Sequence, residues 1–449
     1  MDNGLAQTTL RLPPHVRISI TDQLDVLVME RYQLPSVMFR LVIWGDSAGD
    51  TEGKEGLCRL TAKLLKKGAG PYSADKFAYA VESRGATVSV QTNYDYTTIS
   101  GEFLSKDTDF GLYLIATMLL EPRFSSREIS FLKKKTTGEI TSILDEPGRL
   151  CSILHNENLF QKHPYGRPLI GNQPSVKRLN KDDIISVHQQ KMLQSRMLLT
   201  VVGDVKSENI AAKAKELFSD LMTKPSVSEN NSSLIPIKGR TIFVVNKADQ
   251  TQAHIRIGNI GISRNNPVFH KLVVTNTLFG GSFTSRLMTE IRVNRGLTYG
   301  IRSGISAYRN PGPMTISTFT KTASTALAVD LIYKEIIKLH STKISETELS
   351  GTKRYMIGLY PLTLETNKRL ALHLSDIYFY GLSLKTIEEY PGKITVVSVS
   401  DVQEAAKRYY SESDTVVTVL GDAEKIASEM EKLGTVVIKK ISDFGLTAD

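Results

Sequence analysis

Apolar and polar residues alternate over 24–30 (Val26, Val28) and again over 36–44 (Val37, Phe39, Leu41, Ile43), with Pro35 between the two stretches. This period of two predicts strands. After a loop at 45–53 the period changes. Over 56–68, Leu57, Leu60, Leu64 and Leu65 recur at helical spacing, and Arg59 and Lys63 share the opposite face. Gly68 supplies the stop. A second helix is expected over 73–84, with Phe77, Ala80 and Val81 inward. Residues 86–103 are rich in Thr, Val, Tyr and Ile and predict two strands about a turn at 93–95. A strongly apolar helix follows at 108–120 and ends before Pro122. Ser125-Ser126-Arg127-Glu128 has the form of a capping box opening a long helix towards Asp145, broken by Pro147-Gly148. A helix over 181–190, a buried strand over 197–202 and a helix over 207–221 complete this half.

The tract 223–239 is polar, with Pro225, Asn230, Asn231, Ser232, Ser233 and Pro236, and has the composition of a linker. Beyond it the pattern repeats. Residues 183–204 align without gaps onto 401–422, both running from helix to strand to Gly-Asp, and Ser345-Glu346-Thr347-Glu348 echoes the capping box. Repeats of this length are duplicated domains rather than solenoid units. The expected organisation is a domain over 1–224, a linker over 225–238 and a domain over 239–449, each of the α+β class.

Composition narrows the function classes. The net charge of +9 arises from 56 basic residues set among 47 acidic ones, with no basic arm or nucleic-acid motif. No apolar run has the length of a membrane span. The two cysteines, Cys58 and Cys151 (the latter expected near the end of a later helix), form neither a disulfide framework nor a zinc site. The eight histidines include no pair three or four apart. The start of the chain has no charged-then-apolar leader. At face value this suits the cytoplasm, or the periplasm if a leader was trimmed, so the compartment is unknown.

The stretch 56–68 resembles the motif helix of the pitrilysin/insulinase family of zinc metallopeptidases, whose frame is Gly-Leu-x-His-x-x-Glu-His-x-Leu-x-x-Gly. Glu121-Pro122-Arg123-Phe124, His163-Pro164-Tyr165-Gly166, Val202-Gly203-Asp204 and the run 280–287 match the family in order, so the resemblance covers nearly the whole chain. Here Arg59, Ala62 and Lys63 stand where the family has His, Glu and His. Neither a guanidinium nor an ammonium has a lone pair for a metal. The family's third zinc ligand corresponds to Glu139, with Glu146 further along. With no metal, Glu139 is expected to pair with Arg59 or Lys63.

In the family an Arg and a Tyr on the second domain reach the zinc of a facing half and stabilise the oxyanion. Arg292 and Tyr299 match them within Arg-Val-Asn-Arg-Gly-Leu-Thr-Tyr, with Arg295 as a fallback. Gly280-Gly281 lacks the Lys-Ser/Thr of a phosphate loop and is expected to form a turn. The resemblance implies two homologous domains, each a mostly antiparallel sheet with helices packed on it, forming half of a peptidase clamshell. It further implies a catalytically inactive subunit of a two-chain zinc metallopeptidase. Zinc would then sit in a homologous partner and not in this chain, and the substrates would be peptides. The alternative is a scaffold of the same fold with no peptidase role.

Overall fold

The computed structural model describes residues 11–45, 50–221, 233–248 and 250–446. Outside these lie the first ten residues, positions 46–49 of the loop before the motif helix, and 225–232 of the expected linker. The first half builds one six-stranded sheet from β1 (His15–Ser19), β2 (Leu24–Glu30), β3 (Ser36–Trp44), β4 (Thr87–Thr92), β5 (Tyr96–Leu104) and β6 (Met197–Gly203), in the order β1-β2-β6-β3-β5-β4. The second half builds another from β7 (Arg240–Asn246), β8 (Gln252–Ile260), β9 (Ile301–Ile305), β10 (Pro313–Lys321), β11 (Thr415–Gly421) and β12 (Thr435–Lys440), in the order β12-β7-β11-β8-β10-β9. Most neighbours are antiparallel. The parallel pairs are β2–β6, β7–β11 and β7–β12.

Five strands of each sheet share one arrangement, so the duplication seen in sequence is a duplication of fold. It extends to single residues. Arg40 of β3 lies opposite Thr200 and Ser100, and Arg256 of β8 lies opposite Thr418 and Ser317. The sheets differ at one margin, where β1 runs antiparallel to β2 and β12 runs parallel to β7.

Strands β6 and β11 are buried along their whole length because helices cover both faces. In the first sheet Val26, Val28, Leu199 and Val201 face a core shared with the half's own helices. The alternate residues Leu27, Met29, Leu198 and Val202 face Leu370, Leu374 and Ile377 of the helix Asn367–Phe379, from the other half. The exchange is reciprocal. The helix Pro147–Phe160 places Leu150 and Leu154 against Val245 and Leu420, and Leu159 and Phe160 against Val416. Two buried arginines mark the crossings: Arg40 Nε donates to Ser375 Oγ (2.8 Å) and Arg256 Nε to Ser152 Oγ (3.1 Å).

Thr108–Leu120 spans the expected helix, and the turn at 93–95 is closed by Asn93, whose side chain accepts from the N–H groups of Asp95 and Tyr96. Other details differ. β1 was not expected. The helix over 207–221 stops at Leu217. Pro147 ends the long helix Ser126–Ile143 but also begins the next one, which puts Cys151 near that helix's start rather than its end. Ser125 and Ser345 cap their helices by accepting from the N–H of Glu128 and Glu348, yet neither glutamate returns the bond. Glu128 pairs with Lys67 (3.7 Å), and Glu348 takes both branches of Arg286 (2.7 and 2.8 Å). Gly280 and Gly281 lie in a wide i→i+5 helical turn, Thr277–Gly281, where a Cβ on Gly280 would meet Ser303. Leu234 and Ile237, at the far end of the expected linker, pack beside Val416 and Tyr165.

Candidate functional site

The motif helix Leu57–Leu64 is started by a buried carboxylate. Asp50 accepts the backbone N–H of Gly56 (2.8 Å) and of Cys58 (2.9 Å), two donors the first turn would otherwise leave unpaired. Burial pushes the Asp50 carboxyl up, against the pull of these bonds. Gly56 has φ +89°, and a Cβ there would lie 2.6 Å from the Ile170 carbonyl oxygen. Leu57, Leu60, Leu64 and Leu65 enter the core, and Ala62 is buried with them. Arg59 and Lys63 face outward.

Glu139, on the neighbouring long helix, sits between the two cations. Arg59 Nη2 donates to Oε2 at 3.1 Å, and Lys63 Nζ reaches Oε1 at 3.2 Å and Oε2 at 3.1 Å. About a quarter of each side chain is exposed. Burial alone would raise the Glu139 carboxyl, but the bonds from Lys63 and Arg59 outweigh it and hold it below the usual range. The Lys63 ammonium moves down, through burial and then the charge of Arg59 beside it. The two shifts together describe one carboxylate shared by two cations, with positive charge in excess. Glu146 stays apart and pairs with Arg149 (3.5 Å).

This donor set does not fit zinc, because two of the three positions carry cations without lone pairs. Elsewhere, among the described residues, no three His, Cys, Asp or Glu side chains gather as a metal site. Both cysteines are buried and neither is in a disulfide. His155 is pushed down to about 3 by burial and, among the described residues, hydrogen-bonds at Thr418 Oγ1 alone (3.2 Å).

Arg292 and Tyr299 form a second locus. Arg292 lies on the wide helical turn Met288–Asn294, a geometry found often at functional sites. Its guanidinium carbon is 4.8 Å from the Phe283 ring centre and 5.8 Å from that of Tyr299. Tyr299 is 84% exposed and Phe283 70%. Among the described residues Arg292 makes no ion pair and the Tyr299 hydroxyl no hydrogen bond, whereas Arg295 is held by Glu290 (2.8 Å). Strand β9, a free sheet edge, begins two residues after Tyr299. No hydrogen bond or ion pair of this locus reaches the Glu139 triad. In the sequence Phe283 is simply one residue of the run 280–287; its exposure, which marks it, is a property of the fold.

Two family models match in sequence order. Residues 26–173 match "Insulinase (Peptidase family M16)", and residues 178–356 match "Peptidase M16 inactive domain". The chain belongs to the M16 peptidase family. Its relatives include an uncharacterized zinc protease YmxG of Bacillus subtilis, 24% identical over 84% of this chain and 91% of the relative. Another is a non-peptidase homolog YmxG of Helicobacter pylori, 24% identical over 90% and 93%. Among solved structures, a peptidase M16 inactive domain from Pseudomonas fluorescens superposes with a TM-score of 0.84 at 22% identity, covering 91% of this chain and 98% of that one. A protease from Helicobacter pylori gives 0.84 at 18%, covering 92% and 100%. The M16 fold, two related sheet-and-helix halves, is therefore the fold of this chain. No helix among its described residues is long and apolar enough to cross a membrane.

Proposed function

We propose that this M16 chain is the non-catalytic half of a two-chain zinc peptidase that cleaves peptides. It would donate Arg292 and Tyr299 to the active site of a homologous, zinc-bearing partner. The asymmetry of its two loci carries the reading. Arg59 and Lys63 are both tied to Glu139, while half-buried Arg292 and exposed Tyr299 stand beside a sheet edge and, among the described residues, make no ion pair and no hydroxyl hydrogen bond. The partner's zinc would supply the Lewis acid that activates water. From this side, the guanidinium and the phenol O–H would donate to a substrate carbonyl oxygen as negative charge develops on it. The edge of β9 would hold the peptide as an added strand through main-chain bonds.

The test is reconstitution with the zinc-bearing partner, measuring assembly and turnover separately. Tyr299→Phe removes one hydroxyl and almost no volume. Loss of an oxyanion donor costs about 2.7–4 kcal/mol, so turnover should fall about a hundredfold or more with assembly intact. Arg292→Ala should also weaken substrate binding, because a charge goes with it. Normal turnover in both variants would favour a scaffold with no peptidase role.

A further inference from the structure

Beside the Glu139 triad lies a cleft of ≈ 220 Å³ that takes Arg59 as one wall. Arg149 forms another part of its lining, with Tyr94 and Asn156. The rest is apolar: Ile153, Pro168, Leu169 and Ile170. Two arginines therefore line a small recess whose other walls are mostly apolar.

Neither group is neutralised within the recess. Arg59 uses Nη2 on Glu139, on the triad side, and its remaining N–H groups make no hydrogen bond among the described residues. That carboxylate is already shared with Lys63. Arg149 meets only Glu146, at 3.5 Å and with both side chains half exposed. Tyr94 donates its hydroxyl to the Arg167 carbonyl (3.2 Å), and the Asn156 side chain bonds to that hydroxyl. The cleft thus offers cationic donors and an apolar wall beside them. The volume admits the end of a chain and not a folded partner.

We propose that this cleft binds the C-terminal carboxylate of a peptide whose last residue is apolar. The carboxylate would lie between Arg59 and Arg149, and the terminal side chain would lie on Ile153, Leu169 and Ile170. Bidentate guanidinium–carboxylate geometry favours this pairing over a point-charge contact. The positions that hold a metal in active relatives would then serve to anchor the end of a substrate. The idea rests on the reading that the chain handles peptides, but not on Arg292, Tyr299 or any partner.

The test uses the full chain alone and calorimetric titration at low salt. Probes are N-acetyl-Ala-Ala-Ala-Leu as the free acid, its C-terminal amide, an amidated N-acetyl-Ala-Asp-Ala-Leu, and inorganic phosphate. The acid should bind about tenfold or more tighter than the amide, the scale of one charge-assisted hydrogen-bonded pair. Arg149→Gln, at a half-exposed side chain, should keep the wild-type melting temperature and lose most of that preference. Ile153→Asp should abolish binding of the acid.

Equal binding of acid and amide would overturn the proposal. So would an internal aspartate peptide that binds as well as the free acid, since the site would then serve side-chain carboxylates. Phosphate matching the acid would overturn it as well, by marking an anion site indifferent to peptide. Failure here leaves the reconstituted Tyr299→Phe result untouched, and a normal Tyr299→Phe rate leaves this binding untouched, so the two ideas fail separately.

Discussion

Glu139 holds two cations at once, and its removal would leave Arg59 and Lys63 facing each other. With each group about a quarter exposed, Glu139→Gln should cost about 1–3 kcal/mol at pH 7, between the values for surface and buried pairs. The carboxyl is held below its ordinary value in the folded chain, so its contribution is present above the unfolded pKa and fades as pH falls through the folded one. Urea unfolding at pH 7 and at pH 3 should show the gap closing in acid; a gap of equal size at both would indicate lost packing instead. Glu157 has the opposite sign. Burial pushes it up to about 7, against Lys439 and with help from Glu55. The folded chain keeps this proton while the unfolded chain releases it, so stability declines as pH rises to about 7. Glu157→Gln should remove that decline and leave the variant about 2–3 kcal/mol more stable than wild type at pH 8. The triad was legible in the sequence because a motif frame places its members on known faces. Arg149 and Glu157 were not, since their environment is made by chain segments far away in sequence.

At the scale of elements, the motif helix depends on what precedes it. Asp50→Ala would strand two buried N–H groups and should cost about 1–2 kcal/mol. Gly56→Ala forces a side chain onto a left-handed backbone against the Ile170 carbonyl and should cost about 1–3 kcal/mol. Hydrogen exchange should show both losses first in Leu57–Leu64; uniform loss of protection would deny the cap its local role. Elements with a strong private pattern, such as Thr108–Leu120, β3 and β5, were legible because their own residues specify period and ends. The helix Pro147–Phe160 was not. Its apolar face serves the other half's sheet, and Pro-Gly signals a stop and a start equally well. The expected capping boxes half formed for a related reason: tertiary partners, Lys67 and Arg286, claimed the glutamates.

Across the whole molecule, the duplication explains the fold and the exchange of helices explains its cohesion. Repeated strand patterns revealed two copies, but nothing in either copy announced that its sheet would be covered by a helix from the other. Neither sheet can keep both faces buried alone, which predicts one cooperative unfolding transition and not two. The pseudo-equivalent arginines give a way to test it. Arg40 pairs with Asp376 (3.6 Å) as well as Ser375, and Arg256 donates to Ser152 and to the Gly148 carbonyl (2.7 Å). Each ties its own sheet to the helix that arrives from the other half. Arg40→Ala should cost about 2–4 kcal/mol by leaving the Asp376 carboxyl without its cation. Burial already raises that carboxyl, so the loss should grow as pH rises and Asp376 ionises. Arg256→Ala should cost a similar amount without that rise of the loss with pH, since its hydrogen-bond acceptors are neutral and it pairs with no carboxylate among the described residues. If the halves stabilise each other, both substitutions lower the same single transition seen by calorimetry and by tyrosine fluorescence. Two transitions, with Arg40→Ala moving one and Arg256→Ala the other, would mean that each half folds on its own and that the exchanged helices are merely docked.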